Sequence, residues 1–128
     1  MSYVTYMTPK RKITLYHNSE CSKSNEVLKI LEDANVEFDL VEYVDDPPSV
    51  ETLDSLLKQL KMEPKDLVRR GEEEYTMLKL GLQPPKSREA WLKIFNQFPI
   101  LIERPIVSDG RTAVIGRPPQ KVVDWLSL

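Results

Sequence analysis

Cysteine and histidine are nearly absent from this sequence of 128 residues, which has one of each, Cys21 and His17. A single cysteine excludes a disulfide within the chain. The two residues together cannot complete a closed four-ligand zinc site without borrowed carboxylates, so we predict no structural metal. Any thiol redox cycle must therefore take its second thiol from another molecule.

Long apolar runs are missing as well. No stretch approaches the roughly 20 apolar residues that span a bilayer, and the first residues, MSYVTYMTPKRK, lack the apolar segment of a signal peptide. The net charge of −2, from 18 basic and 20 acidic residues, provides no overall attraction to nucleic acid or to an anionic membrane. We therefore expect a soluble cytoplasmic protein with no nucleic-acid partner and no membrane partner.

The residues that are present suit one globular domain. A chain of 128 residues, 41% of them hydrophobic, can bury a continuous core without disulfides or metals. Residues 1 to 12 show no sustained periodicity and end in a basic PKRK sequence, which predicts a flexible N-terminal arm. The domain itself is then expected to occupy residues 13 to 128.

The first part of this domain has the pattern of a β-α-β unit. ITLY, residues 13 to 16, is β-branched and aromatic and predicts a strand, and VEFDLVEY, residues 36 to 43, predicts a second one. Between them the apolar residues recur at helical spacing, at Val27, Ile30, Leu31 and Ala34. A helix of crossover length between two strands favours parallel pairing.

A helical insertion follows, from about residue 49 to residue 98. Ser49, Pro64 and Ser87 each stand where a helix can begin, and the short helix after Pro64 is expected to end near Gly71. The leucines after Ser49 form an amphipathic stripe. This section therefore consists of several helices joined by short loops.

The pattern changes again near the end of the chain. Two β-rich runs flank Asp109-Gly110, a pair typical of a two-residue hairpin turn. A last helix begins at Pro118-Pro119, with Val122, Val123 and Leu126 facing inward. The order β-α-β, helical insertion, β-β-α predicts an α/β protein with a single sheet.

Cys21 lies between the first strand and the first helix, where free backbone N–H groups and the helix dipole stabilise an anion. Such surroundings lower a thiol pKa from about 8.5 to roughly 3.5–7.5, which makes the residue a nucleophile at neutral pH. The hydroxyls of Ser22 and Ser24 can donate to the sulfur, and a protonated His17 can add positive charge. The alternative is a small buried apolar residue, but the neighbours NSE and SKS are polar on both sides.

Three arginines have a suggestive context: Arg69 near the end of a predicted helix, Arg104 before Pro105, and Arg117 before the last helix. Guanidinium groups bind tetrahedral oxyanions through a rigid fork of N–H donors. The alternative for each is a solvated side chain paired with a carboxylate. Spacing in the sequence does not bring the three together.

Five separated motifs resemble one known family, the glutaredoxin-dependent arsenate reductases and their relatives. They are HNSEC after the first strand, YVDDPPS after the second, DLVRRGEEEY in the helical section, PILIERPIV before the third strand, and GRPPQKVVDWL at the end. The resemblance covers about residues 13 to 126. It implies a thioredoxin-like fold with a helical insertion.

The resemblance also implies roles for individual residues. Cys21 matches the nucleophile, and His17 and Ser24 match positions that tune the thiolate. The three arginines, Arg69, Arg104 and Arg117, match the groups that bind the oxyanion, with a cis peptide bond between Arg104 and Pro105. The implied reaction is reduction of arsenate to arsenite, with glutathione as co-substrate, glutaredoxin as partner and no bound cofactor.

Two other functions remain open. A glutathione-dependent thiol oxidoreductase with another substrate needs a reactive Cys21 but not three converging arginines. A regulator of the same fold that contacts RNA polymerase uses a Cys-x-x-Cys pair, and here Ser24 replaces the second cysteine, which excludes an internal disulfide switch. A binding role without redox chemistry is still compatible with the sequence.

Overall fold

The computed structural model describes residues 11–127, so residues 1 to 10 of the predicted arm lie outside the described residues. Four strands are present in this part: β1 (Ile13–His17), β2 (Phe38–Glu42), β3 (Ile106–Ser108) and β4 (Ala113–Ile115). The helices there are α1 (Ser22–Asp33), α2 (Val50–Leu60), α3 (Pro64–Leu67), α4 (Glu73–Met77), α5 (Arg88–Gln97) and α6 (Gln120–Leu126). A 3₁₀ turn, Pro99–Leu101, follows α5.

The strands form one mixed sheet in the order β2-β1-β3-β4. β1 and β2 are parallel, with Ile13 opposite Phe38 and His17 opposite Glu42, as the β-α-β pattern predicted. β3 runs antiparallel to both β1 and β4. The predicted α/β class with β-α-β, an insertion and β-β-α is therefore confirmed.

Each face of the sheet is covered by helices, because successive side chains of a strand point to opposite faces. On one face Leu15 of β1 lies in a cluster with Val27 and Leu31 of α1 and Val122 of α6. The other face supports a larger cluster, formed by the insertion and β3, whose fully buried members include Leu53, Leu57, Phe95 and Leu101. The insertion thus supplies the core of one whole face.

The helical insertion begins and ends close to the predicted positions. Ser49 and Ser87 are N-caps, and their side chains accept hydrogen bonds from the N–H groups of Thr52 and Ala90, each at 3.1 Å. The short helix α3 ends at Leu67 rather than near Gly71. It ends there because Val68 is extended and forms an isolated antiparallel bridge with Ile102.

Two local predictions near the end of the chain are wrong. The β3–β4 connection lies at Asp109-Gly110 but has four residues, because the Asp109 carboxylate accepts hydrogen bonds from the N–H groups of Arg111 and Thr112. Val123 is 38% exposed, whereas Val122 and Trp125 are buried. In α6 the positions three apart, Val122 and Trp125, lie on the face that packs against the core. Val123 therefore faces solvent.

Candidate active site at the end of β1

Cys21 is the N-cap residue of α1, and its carbonyl accepts the N–H of Asn25 at 3.1 Å. The loop before it is fixed at both ends, since Cys21 N–H donates to the Asn18 carbonyl at 3.0 Å and Asn18 N–H donates to Ser24 Oγ at 3.3 Å. The thiol itself is partly exposed. A polar loop anchored to the first turn of the helix therefore presents the sulfur at the surface.

The pKa of Cys21 is lowered from 9.0 to about 7. Partial burial raises this pKa, but the backbone N–H of Ser24, the guanidinium of Arg104 and the backbone N–H of Lys23 together outweigh it. A large share of the thiol is therefore ionised at neutral pH, which makes it nucleophilic. The polar surroundings exclude the alternative of an inert buried cysteine.

Arg117 directly contacts the thiol. Its Nη1 is 3.7 Å from Cys21 Sγ and donates to the Arg104 carbonyl at 3.3 Å. The neighbouring Gly116 donates its N–H to the Pro105 carbonyl at 2.9 Å, and a Cβ there would lie 2.5 Å from Val27 Cγ2 and 3.0 Å from Pro105 Cγ. Only glycine allows the backbone at residue 116 to lie this close to Val27 and Pro105. This close packing fixes the position of the next residue, Arg117.

Arg104 is the most buried of the three arginines, with 9% of its side chain exposed. Its Nη1 donates to the Ile100 carbonyl at 3.2 Å and to Glu72 at 3.4 Å, while Nε is buried and has no acceptor within residues 11–127. The bond to Pro105 is cis, as the resemblance implied, and Arg117-Pro118 is cis as well. A buried cationic donor without an acceptor suits a site for an anion.

Arg69 reaches the site through the bridge between Val68 and Ile102. Its backbone N–H donates to the Leu101 carbonyl at 2.7 Å, which places residue 69 beside the segment that carries Arg104. Its Nε donates to Glu72 at 3.1 Å and its Nη1 to Glu103 at 2.5 Å. A contact across 34 residues thus places Arg69 in the same network as the other two arginines.

Two carboxylates connect the arginines, and the sequence did not indicate them. Glu72 joins Arg69 to Arg104, and Glu103 joins Arg69 to Arg117, whose Nε is 3.7 Å away. Each glutamate resembles an ordinary solvated residue in the sequence. The one local signal was the three-residue spacing of Arg69 and Glu72, which would suit an ion pair in a helix, although both residues lie between α3 and α4 in the structure.

The side chains of His17 and Ser24 form no hydrogen bond with Cys21 Sγ. Ser24 is fully buried, and its hydroxyl accepts a hydrogen bond from Asn18, so the serine acts on the thiol through its backbone N–H. His17 is 2% exposed, and its Nδ1 has no partner in the described part of the chain. The expected hydroxyl bonds to the sulfur are therefore absent among the described residues. A thiolate-tuning role for His17 remains a prediction.

Two further findings bear on the kind of site. Residues 11–127 do not bring together any group of three or more His, Cys, Asp or Glu side chains that could hold a metal ion. No helix in that range is long and apolar enough to cross a membrane.

Comparison with a family model assigns residues 16–124, which include every residue of this network, to the ArsC family. The chain belongs to the ArsC family. Among curated relatives, the uncharacterized protein YfgD of Escherichia coli (strain K12) is 39% identical over 89% of this chain and 96% of its own length. An arsenate reductase of Haemophilus influenzae is 36% identical over 89% and 98%.

Among solved structures, an arsenate reductase from Vibrio cholerae is similar to this ArsC family member with a TM-score of 0.83 and 38% identity, over 91% of this chain and 98% of that one. These comparisons confirm the family suggested by the five motifs and, with the mixed sheet, the thioredoxin-like fold. The roles of the individual site residues remain predictions. Their positions are consistent with those roles, because Cys21, Arg104 and Arg117 are in contact and Arg69 joins them through the carboxylates.

Proposed function

We propose that this protein reduces arsenate to arsenite, with the Cys21 thiolate as nucleophile. The observation that carries the proposal is the position of Arg117 Nη1, 3.7 Å from Cys21 Sγ and 3.3 Å from the carbonyl of Arg104, whose own buried Nε has no acceptor within residues 11–127. An activated thiolate and unused cationic donors at one place suit attack on a bound tetrahedral oxyanion. The arsenate reductases among its relatives support arsenate as that oxyanion.

In the first step the thiolate attacks arsenic, a sulfur–arsenic bond forms, and one arsenic–oxygen bond breaks. The oxygen leaves as water after taking up a proton, and arsenic remains in the +5 state. Arg104 and Arg117 neutralise the negative charge that the thiolate and the oxyanion bring together. Arg69 holds the third side of the oxyanion through the N–H groups that its two glutamates do not use.

The second step needs an external thiol, because this chain has one cysteine. We propose glutathione: its sulfur attacks Cys21 Sγ, and the pair of electrons of the sulfur–arsenic bond moves to arsenic, which becomes arsenite in the +3 state. The two sulfurs are oxidised to a mixed disulfide. Glutaredoxin and a second glutathione then restore the Cys21 thiol, which places the cycle in a reducing compartment such as the cytoplasm.

Arsenate-dependent NADPH oxidation, coupled through glutathione, glutaredoxin and glutathione reductase, tests the proposal. We expect turnover by the native protein and none by Cys21→Ser. Because Cys21 is partly exposed, the serine variant should unfold at the same urea concentration as the native protein. Undiminished turnover by Cys21→Ser, or no arsenate-dependent oxidation by the native protein, contradicts the proposal.

A second variant separates arsenate reduction from general thiol exchange. Arg117→Ala should lose arsenate turnover while still exchanging with a glutathione mixed disulfide, because exchange does not need the arginines. Arg111→Ala is the matched control, since Arg111 lies exposed in the β3–β4 connection and its side chain has no partner among the described residues. Undiminished arsenate turnover in Arg117→Ala would contradict an oxyanion-binding role for Arg117, and equal loss of both activities would mean that Arg117 acts through the Cys21 thiol that it contacts.

A further inference from the structure

The three arginines near Cys21 are balanced by negative charge. Glu72 lies 3.1 Å from Arg69 Nε and 3.4 Å from Arg104 Nη1, and Glu103 contacts Arg69 and lies 3.7 Å from Arg117 Nε. When Cys21 is ionised, the formal charges of these side chains cancel. A site that only had to attract an anion strongly would not place two carboxylates among its arginines.

An incoming oxyanion meets these carboxylates as well as the guanidinium groups. Less than a third of each glutamate side chain is exposed, 23% for Glu72 and 28% for Glu103, so solvent screens them incompletely. The repulsion grows with the charge of the ligand. A doubly charged oxyanion therefore loses about twice as much binding free energy as a singly charged one.

We propose that Glu72 and Glu103 are specificity-determining residues that restrict this site to oxyanions carrying one negative charge. The inference rests on the proposed function, because it concerns the oxyanion that the same arginines bind. Arsenate and phosphate exchange between singly and doubly charged forms near neutral pH, whereas sulfate is doubly charged throughout. The site therefore accepts the singly charged form of arsenate, which carries two protons and which an anionic thiolate attacks against less repulsion, and it rejects sulfate.

A purely positioning role for the glutamates predicts the opposite effect of their removal. If they only hold the guanidinium groups in place, their loss loosens the arginines and weakens the binding of every anion. Substitution by glutamine keeps an oxygen that accepts the arginine N–H groups and removes the charge. The change in affinity of Glu72→Gln and Glu103→Gln, and its dependence on ligand charge, therefore separates the two roles.

The test uses protection of Cys21 against alkylation by iodoacetamide, which does not depend on turnover. Phosphate, arsenate and sulfate are titrated at constant ionic strength. For each protein, the alkylation rate of Cys21 with anion is divided by the rate for the same protein without anion. We expect each glutamine variant to bind sulfate about 25-fold more tightly and a singly charged oxyanion about fivefold more tightly. Glu73→Gln is the matched control, because this exposed neighbour changes the net charge equally and contacts none of the three arginines.

Each other outcome has a definite meaning. Weaker binding of all anions by both glutamine variants assigns the glutamates a positioning role and overturns the inference. Affinities equal to those of Glu73→Gln overturn it as well, even where arsenate turnover confirms the proposed function. If no anion protects Cys21 in any of the proteins, the oxyanion site is wrong and both proposals fail.

Discussion

Arginines occupy both ends of β1, and their surroundings differ. Arg11, before the strand, donates to Asp109 at 3.1 Å and to the Trp125 carbonyl at 3.2 Å, and its guanidinium lies 3.8 Å from the centre of the Trp125 ring. Arg104, beside the Cys21 end, is more deeply buried and keeps an Nε without an acceptor within residues 11–127. An arginine whose partners all belong to the folded chain stabilises the fold, whereas a buried one with unused donors suits a ligand.

The sharpest test of this comparison is the loss of each arginine in turn. Arg104→Ala should lower kcat/KM for arsenate about 100- to 1000-fold, the usual effect of removing one donor that stabilises developing charge. Arg11→Ala should change kcat/KM less than twofold, because Arg11 precedes β1 and contacts no residue of the site. Steady-state rates in the coupled assay measure both. Similar losses in the two variants would remove the distinction between the two ends.

The titration of Cys21 gives a second test that needs no substrate. The folded pKa of about 7 lies below the ordinary 9.0, so the thiolate and its alkylation rate should reach half their maximum near pH 7. Arg104 lowers this pKa, so the half-point in Arg104→Ala should move upward, towards 9, and alkylation at pH 7 should slow several-fold. In Arg11→Ala the profile should not move. A half-point near 9 in the native protein would contradict an activated thiolate.

Gly116 tests how far the Cys21 end depends on close packing. A methyl group in Gly116→Ala would meet Val27, Pro105 and Val122 at 2.5 to 3.1 Å, and relief of such crowding costs about 1–3 kcal/mol. Urea unfolding should show this loss of stability, and Arg117, the next residue, should hold oxyanions less tightly. Gly71→Ala is the control, since no atom of residues 11–127 other than those of the adjacent residues lies within 4 Å of a Cβ there. Equal stability of the two variants would contradict the tight approach.

The sequence could predict the local features of the molecule but not the contacts between distant residues. Local patterns sufficed for the strands, the caps at Ser49 and Ser87, and the position of Cys21 before α1, because apolar periodicity and capping are local properties. The network of carboxylates was not predictable, because Glu103 approaches Arg69 across 34 residues through the Val68–Ile102 bridge. The three arginines were candidates by their context in the sequence, but their shared role came from the family resemblance, since spacing alone did not bring them together.

The smallest expected effect belongs to the Arg11 end. Arg11→Gln should lower the free energy of unfolding at pH 7 by about 1 kcal/mol, through loss of a partly buried ion pair and of the contact with Trp125.

The pH dependence of this effect follows from Asp109. Burial raises the pKa of Asp109, but the N–H groups of Thr112 and Arg111 and the Arg11 guanidinium together outweigh burial, so the pKa lies below the ordinary 3.8. A lowered carboxylate pKa stabilises the fold above pH 3.8 and ceases to do so as the pH falls through the folded value. The difference between Arg11→Gln and the native protein in urea unfolding should therefore shrink on acidification, with Arg111→Gln as the exposed control. A difference that stayed constant through the acid titration of Asp109 in the native protein would assign the stabilisation to Trp125 alone.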